Sequence, residues 1–473
     1  MKNPVIVWFR QDLRVHDNLA LVKAAEYKNI IPIYIFDGSI KDPQMGKASC
    51  WWLHHSLQKL NEKVDSKLSV YKGNSLRILK QLVKKHGVTK IFAGTCYEPG
   101  RIEQDGQILA ELAAAGVELE FVNNSLLWAP QDVLKDDGSM YKVFTPFYKN
   151  AITSAPLPRK PLSVPSSDFV KDSDSLTIDE LELLDAKHPV SYAKFWQPGE
   201  DAAQKKLTAF IDAGLQEYSL NRDFADKDQT SHLSPHLHFG EISPNVIWHT
   251  MHSADVKKKA SPEDREKFIA ELCWREFSYT LLVGFPELPK KNFQKKFDAF
   301  AWKSDAKLLH AWQQGRTGFP MVDAGMRQLL QTGYMHNRVR MIVASFLTKN
   351  LMQFWGHGAA WFWEHLVDAD LANNSASWQW VAGSGVDAAP FFRIFNPVTQ
   401  GEKFDTLGEY VRKYVPELKK MPQKFLFNPW KASVIDLRGT GIVIGQTYPM
   451  PLVDVDESRK RALAAYEKLG KDR

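Results

Sequence analysis

The chain of 473 residues has only three cysteines, Cys50, Cys96 and Cys273, widely spaced and with no CxxC pair among them. A disulfide framework is therefore excluded, and a reducing cytosol is the fitting compartment. No run of 18 apolar residues occurs, so no segment is built to span a bilayer. The start, Met1 to Val7, runs straight into a strand-like stretch and lacks the apolar core of a signal peptide. A cytoplasmic protein that leaves membranes alone is the expectation. Charge of one sign is also scarce: 61 Lys+Arg face 55 Asp+Glu, a net +6. Most of that excess falls after residue 200, where a polyanion would bind, yet it is too small to argue nucleic acid by itself. No GxGxxG follows the first strand-like run; Arg10-Gln11-Asp12-Leu13-Arg14 stands there, which disfavours a dinucleotide-binding dehydrogenase. Gly439, Gly441 and Gly445 have GxGxxxG spacing without strand–turn–helix context and read as a plain loop. His232, His236 and His238 match no common zinc spacing, so structural histidines and no metal are expected.

What the chain has in surplus is tryptophan, 15 residues, in a composition otherwise ordinary at 44% hydrophobic and 25% charged. A helical core accounts for most of them; a remainder is available for stacking or redox roles. Apolar β-rich runs at Val5–Phe9, Ile30–Phe36, Leu68–Tyr71, Thr89–Ala93 and Val117–Val122 alternate with helical patterns at Asn18–Glu26, Cys50–Val64, Ser75–His86 and Ile102–Ala115. This alternation predicts a Rossmann-like α/β domain over 1–130, a parallel sheet wrapped by helices, with a ligand crevice at the strands' carboxyl ends. Pro156, Pro158, Pro161 and Pro165, then an acidic stretch from Asp168 to Asp185, predict a connector within 131–200. From 201 to 473 the 3- and 4-residue spacing of Phe268–Leu282, Asp305–Gln314, Pro320–Thr332, Asn337–Asn350 and Ala359–Leu366 predicts an all-α domain.

Four stretches of that helical part carry chemistry. Thr230-Ser231-His232-Leu233-Ser234-Pro235 offers hydroxyls and N–H groups before a helix, suited equally to a phosphate or to a helix cap. Glu271 and Arg275 share a helix face at i, i+4 with Trp274 beside them, a charge pair next to an aromatic plate. Asn337, Arg338 and Arg340 open another helix, where Asn suits base edges or a helix cap and Arg suits phosphate. The densest run is Asp368 to Trp380, with Asp368, Asp370, Asn373, Asn374, Trp378 and Trp380 within 13 residues. So many polar groups in an ordinary core would each need a partner, which makes a binding site the better reading.

Together with Val5-Ile-Val-Trp-Phe-Arg-Gln-Asp-Leu-Arg-Val-His-Asp-Asn18, Met140-Tyr-Lys-Val-Phe-Thr-Pro-Phe147, Thr317-Gly-Phe-Pro-Met-Val-Asp-Ala-Gly325 and Thr399-Gln-Gly-Glu-Lys-Phe-Asp405, these runs resemble the photolyase/cryptochrome family from end to end. The form is most similar to a class I-like photolyase acting on cyclobutane pyrimidine dimers. The resemblance implies FAD, reduced in the working state, held by Tyr218, Thr230, Ser231, His232, Leu233, Ser234, Glu271, Arg275, Arg340, Asp368, Ala369, Asp370 and Asn374. Trp302, Trp355 and Trp378 fall at the family's spacing for an electron chain that photoreduces the flavin. Arg222, Trp274, Asn337, Arg338, Met341 and Trp380 match its DNA-facing positions, with Glu271 and Asn337 toward the flipped pyrimidines. Lys290, Lys291, Lys295 and Lys296 form a basic loop that suits either phosphates or solvent.

The implied reaction is light-driven and redox-neutral: an electron from excited reduced FAD splits the dimer and returns. The expected partner is UV-damaged DNA, and the expected state a monomer. A second, antenna chromophore, deazaflavin or folate, is implied for the N-terminal domain, with Asp37 and Arg101 as contacts of the deazaflavin type. Two neighbouring readings stay open: a cryptochrome photoreceptor, against which Asn374 and Trp274 argue, and a (6-4) photoproduct lyase, which wants a His pair where Met335-His336-Asn337-Arg338 stands.

Overall fold

The computed structural model describes residues 4–185, 190–388 and 392–470. Met1–Asn3 and residues 186–189 of the expected connector lie outside that set. Five strands, β1 (Val5–Phe9), β2 (Ile30–Phe36), β3 (Ser69–Lys72), β4 (Lys90–Gly94) and β5 (Glu118–Val122), form one parallel sheet in the order β3-β2-β1-β4-β5. Helices α1 (Leu19–Ala24), α2 (Lys47–Lys63), α3 (Ser75–His86) and α4 (Pro99–Ala114) make the crossovers. β1 is wholly buried, as a central parallel strand covered on both faces must be. The strand order reverses between β1 and β4, so the crevice at their carboxyl ends lies where such folds take ligands.

The connector is laced to this sheet rather than loose. Ile30 N donates to Asp168 O at 2.8 Å and Val170 N donates to Ile30 O at 2.8 Å, while β3 pairs with β2 only from Ile33 onward. Pro32, which has no N–H to give, falls between the two pairings. Asp172, within the acidic stretch of the expected connector, is buried and accepts from Tyr71 Oη at 2.8 Å, with His86 Nε2 at 2.7 Å. Burial opposes its charge, but hydrogen bonds from Lys85, Tyr71 and His86 prevail and hold the carboxyl at about 2.

Packing groups the chain along lines that cut across sequence order. One compact unit comprises Met1–Tyr218, Thr230–Pro286 and Val367–Ala372; the other comprises Ser219–Gln229, Glu287–Leu366 and Asn373–Arg473. The first holds the sheet, α5 (Phe144–Thr153) and the long helix α6 (Pro262–Gly284). The second holds α7 (Pro320–Thr332), α8 (Asn337–Ser345), which runs into a π-helical turn at Phe346–Asn350, and α9 (Trp355–His365). Helix α10 (Leu371–Ala382) follows the Asp368–Asp370 stretch. Asp323 on α7 is buried and anchors the Thr317 turn, accepting from Thr317 N and Oγ1 at 2.7 Å each and from Tyr448 Oη at 2.5 Å. Gly439–Gly445 is loop, with no strand–turn–helix around it. Among the described residues no helix is long and apolar enough to cross a membrane.

Candidate functional site

In the first unit, the polar run that ends in Asp370 finds its partners on two separate elements. Ser234 Oγ donates to Asp368 Oδ2 at 2.6 Å, and Tyr279 Oη on α6 donates to Asp370 Oδ2 at 2.5 Å. His238 Nδ1 lies 3.2 Å from that same oxygen. Ala369 is buried between the two carboxylates in sequence. Neither hydroxyl of Thr230 and Ser231 caps the short helix Ser234–His238, whose N-cap is Leu233 with no side-chain bond. Thr230 Oγ1 instead lies 3.3 Å from His232 Nε2, and Ser231 Oγ accepts from Leu233 N at 3.4 Å. His232 adopts φ 51, a left-handed turn that aims this hydroxyl run. Tyr218 is buried nearby in the chain, edge-on to Phe210 and Phe268.

Arg275 is buried and meets protein at both terminal nitrogens, Nη2 lying 3.5 Å from Leu237 O. Its Nη1 donates to Ser125 O at 2.9 Å and to Glu276 Oε1 at 3.0 Å, and its guanidinium lies 5.0 Å from the Tyr279 ring centre. Glu276, not singled out in the sequence, also accepts from Leu127 N at 2.8 Å. Burial pushes its carboxyl up to about 7, with Arg275 and the backbone donors pulling the other way. Glu271 lies 3.3 Å from Lys267 one turn back on α6. Trp274 is half-buried, and one of its faces is covered by Phe144 of α5, stacked at 3.6 Å and 9°. The signal for Phe144 lay in the Met140–Phe147 motif; nothing marked Glu276 or Tyr279 except their place on the α6 pattern.

The crevice at the strand ends is real and polar. Its walls include Arg10, Gln11, Tyr34, Arg101, His238 and Phe239. Arg10 is buried and bound to Asp105 at 2.6 Å, while Arg10 Nε and Nη2, Asp105 Oδ1 and Glu98 Oε2 have no hydrogen-bond partner among the described residues. Asp37 is not part of this lining. Its carboxylate accepts from Ser39 N at 2.8 Å, Ser75 N at 2.7 Å and Gln104 Nε2 at 2.8 Å; burial works against its charge, yet these bonds hold it below the usual carboxylate range.

The second unit carries Trp302, Trp355 and Trp378. Trp302 is partly exposed and packs on Phe354 at 5.8 Å; Phe354 packs on Trp355 at 5.1 Å; Trp355 and Trp378 are buried. The Trp378 ring lies against Gly358, so closely that a Cβ there would sit 2.1 Å from the indole. Gly358 is three residues from Trp355 on α9, which brings Trp378 onto the helix that Trp355 begins. Trp355 Nε1 donates to Asn292 Oδ1 at 2.9 Å, and Trp378 also meets Phe362 at 5.0 Å. Asn374, one turn before Trp378 on α10, donates Nδ2 to Ala359 O at 3.1 Å.

The expected DNA-facing residues of this unit are partly exposed or exposed. Asn337 is exposed and is not the cap of α8, a role taken by His336, whose ring accepts from Arg338 N at 3.2 Å. Arg338 forms an ion pair with Asp223 and lies 4.4 Å from the Phe404 ring centre. Arg340 Nε donates to Met335 O at 2.7 Å, and Trp380 Nε1 to Asp387 O at 3.1 Å. Arg222 Nε lies 3.9 Å from Asp223 Oδ1, and Met341 is half-buried. The basic loop is tied down by buried Gln379, whose Nε2 donates to Leu288 O at 2.7 Å and Lys291 O at 2.8 Å.

A parallel α/β sheet, carboxylates pinned by hydroxyls and a helical part rich in tryptophan suit a flavoprotein. Residues 5–165 match the DNA photolyase family and residues 268–468 match the FAD binding domain of DNA photolyase. The chain belongs to the photolyase/cryptochrome family. It is 45% identical to the deoxyribodipyrimidine photo-lyase of Agrobacterium fabrum, over 98% of this chain and 97% of that one. It is 35% identical to Cryptochrome-1 of Arabidopsis thaliana, over 96% of this chain and 69% of that one. Among solved structures it resembles the crystal structure of a bacterial class III photolyase from Agrobacterium tumefaciens, with TM-score 0.95, 44% identity, and 100% and 98% of the two chains covered. That relative is described as class III, where the motifs alone read as class I-like.

Proposed function

We propose that this chain repairs cyclobutane pyrimidine dimers in UV-damaged DNA under light, acting as a cytoplasmic monomer with FAD as its cofactor. The observation that carries the reading is the run Asp368–Trp380. Its carboxylates are pinned by Ser234 and Tyr279, and its helix then sets Asn374 and Trp378 one turn apart. The donor set suits FAD. The hydroxyls of Thr230, Ser231 and Ser234, with His232, Leu233 and Tyr218, would hold the diphosphate; Asp368, Ala369, Asp370, Glu271, Arg275 and Arg340 would hold the ribityl, ring and adenosine parts. Asn374 would face the flavin's redox-active edge, where a neutral amide tolerates a reduced, anionic ring.

Bound and reduced, FAD supplies on absorbing light the electron that opens the cyclobutane ring and receives it back. The chain's own residues position and protect. Trp274, backed by Phe144, and Trp380, fixed through Asp387, would wall the extruded dimer. Glu271 and Asn337 would hydrogen-bond its pyrimidines, and Arg222, Arg338 and Met341 would line the DNA track. Trp302, Trp355 and Trp378 would pass an electron inward to restore the reduced cofactor. Arg101, which lines the crevice beside Arg10, and Asp37 would contact a second chromophore of deazaflavin or folate type.

Illumination of the purified, reduced protein with a dimer-containing oligonucleotide tests the reading. Recovery of pyrimidine absorbance under blue light is the expected result. A flavin-loaded protein that leaves the dimers intact would overturn it and favour the cryptochrome reading, for which the Arabidopsis relative speaks.

A further inference from the structure

Side chains from two different elements converge on one oxygen of Asp370. Tyr279 reaches Oδ2 from α6 and His238 from the short helix Ser234–His238, both of them buried. A carboxylate can only accept, so the 3.2 Å approach puts a proton on His238 Nδ1. The donor on α6 constrains the approach to Oδ2 along one direction only. A second donor constrains it along another, and Oδ1 follows because the group is planar.

The segment that carries His238 is itself clamped to the sheet. Leu13 N donates to Phe239 O at 3.0 Å and Arg14 Nη1 to Gly240 O at 2.9 Å. Gly240, at φ +67, lets the two backbones close: a Cβ there would sit 2.0 Å from Gln11 O. The His238 ring stands edge-on to Phe239 at 4.8 Å and lines the same crevice as Arg10 and Arg101. Its orientation is therefore set by the α/β part of the first unit and not by the stretch that bears Asp370.

We propose that His238 is a positioning residue for the cofactor: anchored on the loop after β1, it fixes the plane in which Asp370 meets FAD. This rests on the reading that Asp370 binds FAD, and the two are separable. FAD is titrated into apoprotein of the wild type and of H238L, H238N, Y279F and D370N, and the unfolding midpoint of each apoprotein is recorded. D370N and H238L are each expected to weaken FAD binding roughly tenfold, the effect of losing one hydrogen bond to a charged group. H238N, whose amide N–H can stand in for Nδ1–H, is expected to recover affinity to within about threefold. Y279F should weaken binding too, and combine with H238L less than additively because both act on one oxygen. Wild-type affinity in H238L beside weakened D370N overturns the positioning role. Wild-type affinity in D370N removes the FAD reading of that residue and the inference with it. Equal loss of FAD affinity and apoprotein stability in H238L and H238N, without rescue, marks a purely structural histidine and also overturns it.

Discussion

Asp370 and Trp378 lie eight residues apart in the chain and are held by opposite means. Asp370 is fixed by directed donors, Tyr279 and His238, each acting on one named atom. Trp378 is fixed by volume: Gly358 removes a side chain so that the indole can lie on α9, and Phe362 closes on it at 5.0 Å. A polar site of the first kind responds to the loss of a single proton or donor. An aromatic site of the second kind tolerates chemistry but not added bulk. One helix and its lead-in thus combine a side chain held by hydrogen bonds with one held by packing.

The contrast can be broken most sharply at the electron route. Trp355→Phe keeps an aromatic ring but not a readily oxidised one; light-driven flavin reduction should fall about a hundredfold, equivalent to roughly 3 kcal/mol in barrier, while repair by chemically reduced protein stays near wild type. Equal loss of both activities would show that the ring matters for packing and not for transfer.

Gly358→Val tests the volume side: its side chain would strike the Trp378 indole and should lower stability by about 2–3 kcal/mol in denaturant titration. A neutral result would mean that α9 can shift away from the ring at little cost. Asp368→Asn tests the polar side. It keeps volume and an acceptor for Ser234 yet removes charge, so FAD affinity should drop about tenfold, or about 1.4 kcal/mol, with little change in apoprotein stability.

A further effect is on pH. Burial raises the Glu276 carboxyl from 4.5 to about 7, so the folded chain holds a proton there that the unfolded chain has lost. Stability from this group is full below pH 4.5 and declines as pH rises toward 7, by about 1 kcal/mol per unit between pH 5 and 6. Glu276→Gln should flatten that slope. Asp172 has the opposite sign: held at about 2, it contributes above its unfolded value near 3.8 and loses that contribution as pH falls toward 2. The neighbouring backbone differs accordingly. Glu276 depends on Arg275 and two N–H groups, whereas Asp172 has Lys85, His86 and Tyr71 around it.

Local pattern was enough for the elements. Strand runs and helix periodicity predict β1 to β5 and α7 nearly residue for residue, because buried parallel strands and amphipathic helices must show their periods in the sequence. The crowding of charge and tryptophan between Asp368 and Trp380 was equally legible, since such a composition is too polar for a plain core. Partners were not legible. Spacing paired Glu271 with Arg275 on one face, whereas the fold gives Arg275 the adjacent Glu276 and the Ser125 carbonyl, about 150 residues away, an ordering no helical period encodes. Asn337 suits base edges or a helix cap by its type, and it is the fold that gives the cap to His336. The acidic stretch reads as a connector, and nothing in it marks Asp172 as the buried partner of Tyr71.

By itself, then, the amino-acid order determined the α/β and helical elements and which residue types stand at the positions proposed for the cofactor and for electron transfer. Those depend on interactions within a turn or a strand, which local order sets. Only the tertiary structure decided which donor meets which acceptor: that His238, clamped on the loop after β1, reaches Asp370, and that Gly358 makes room for Trp378. Such contacts depend on where distant segments come to rest, and that follows from packing the whole unit rather than from any stretch of it.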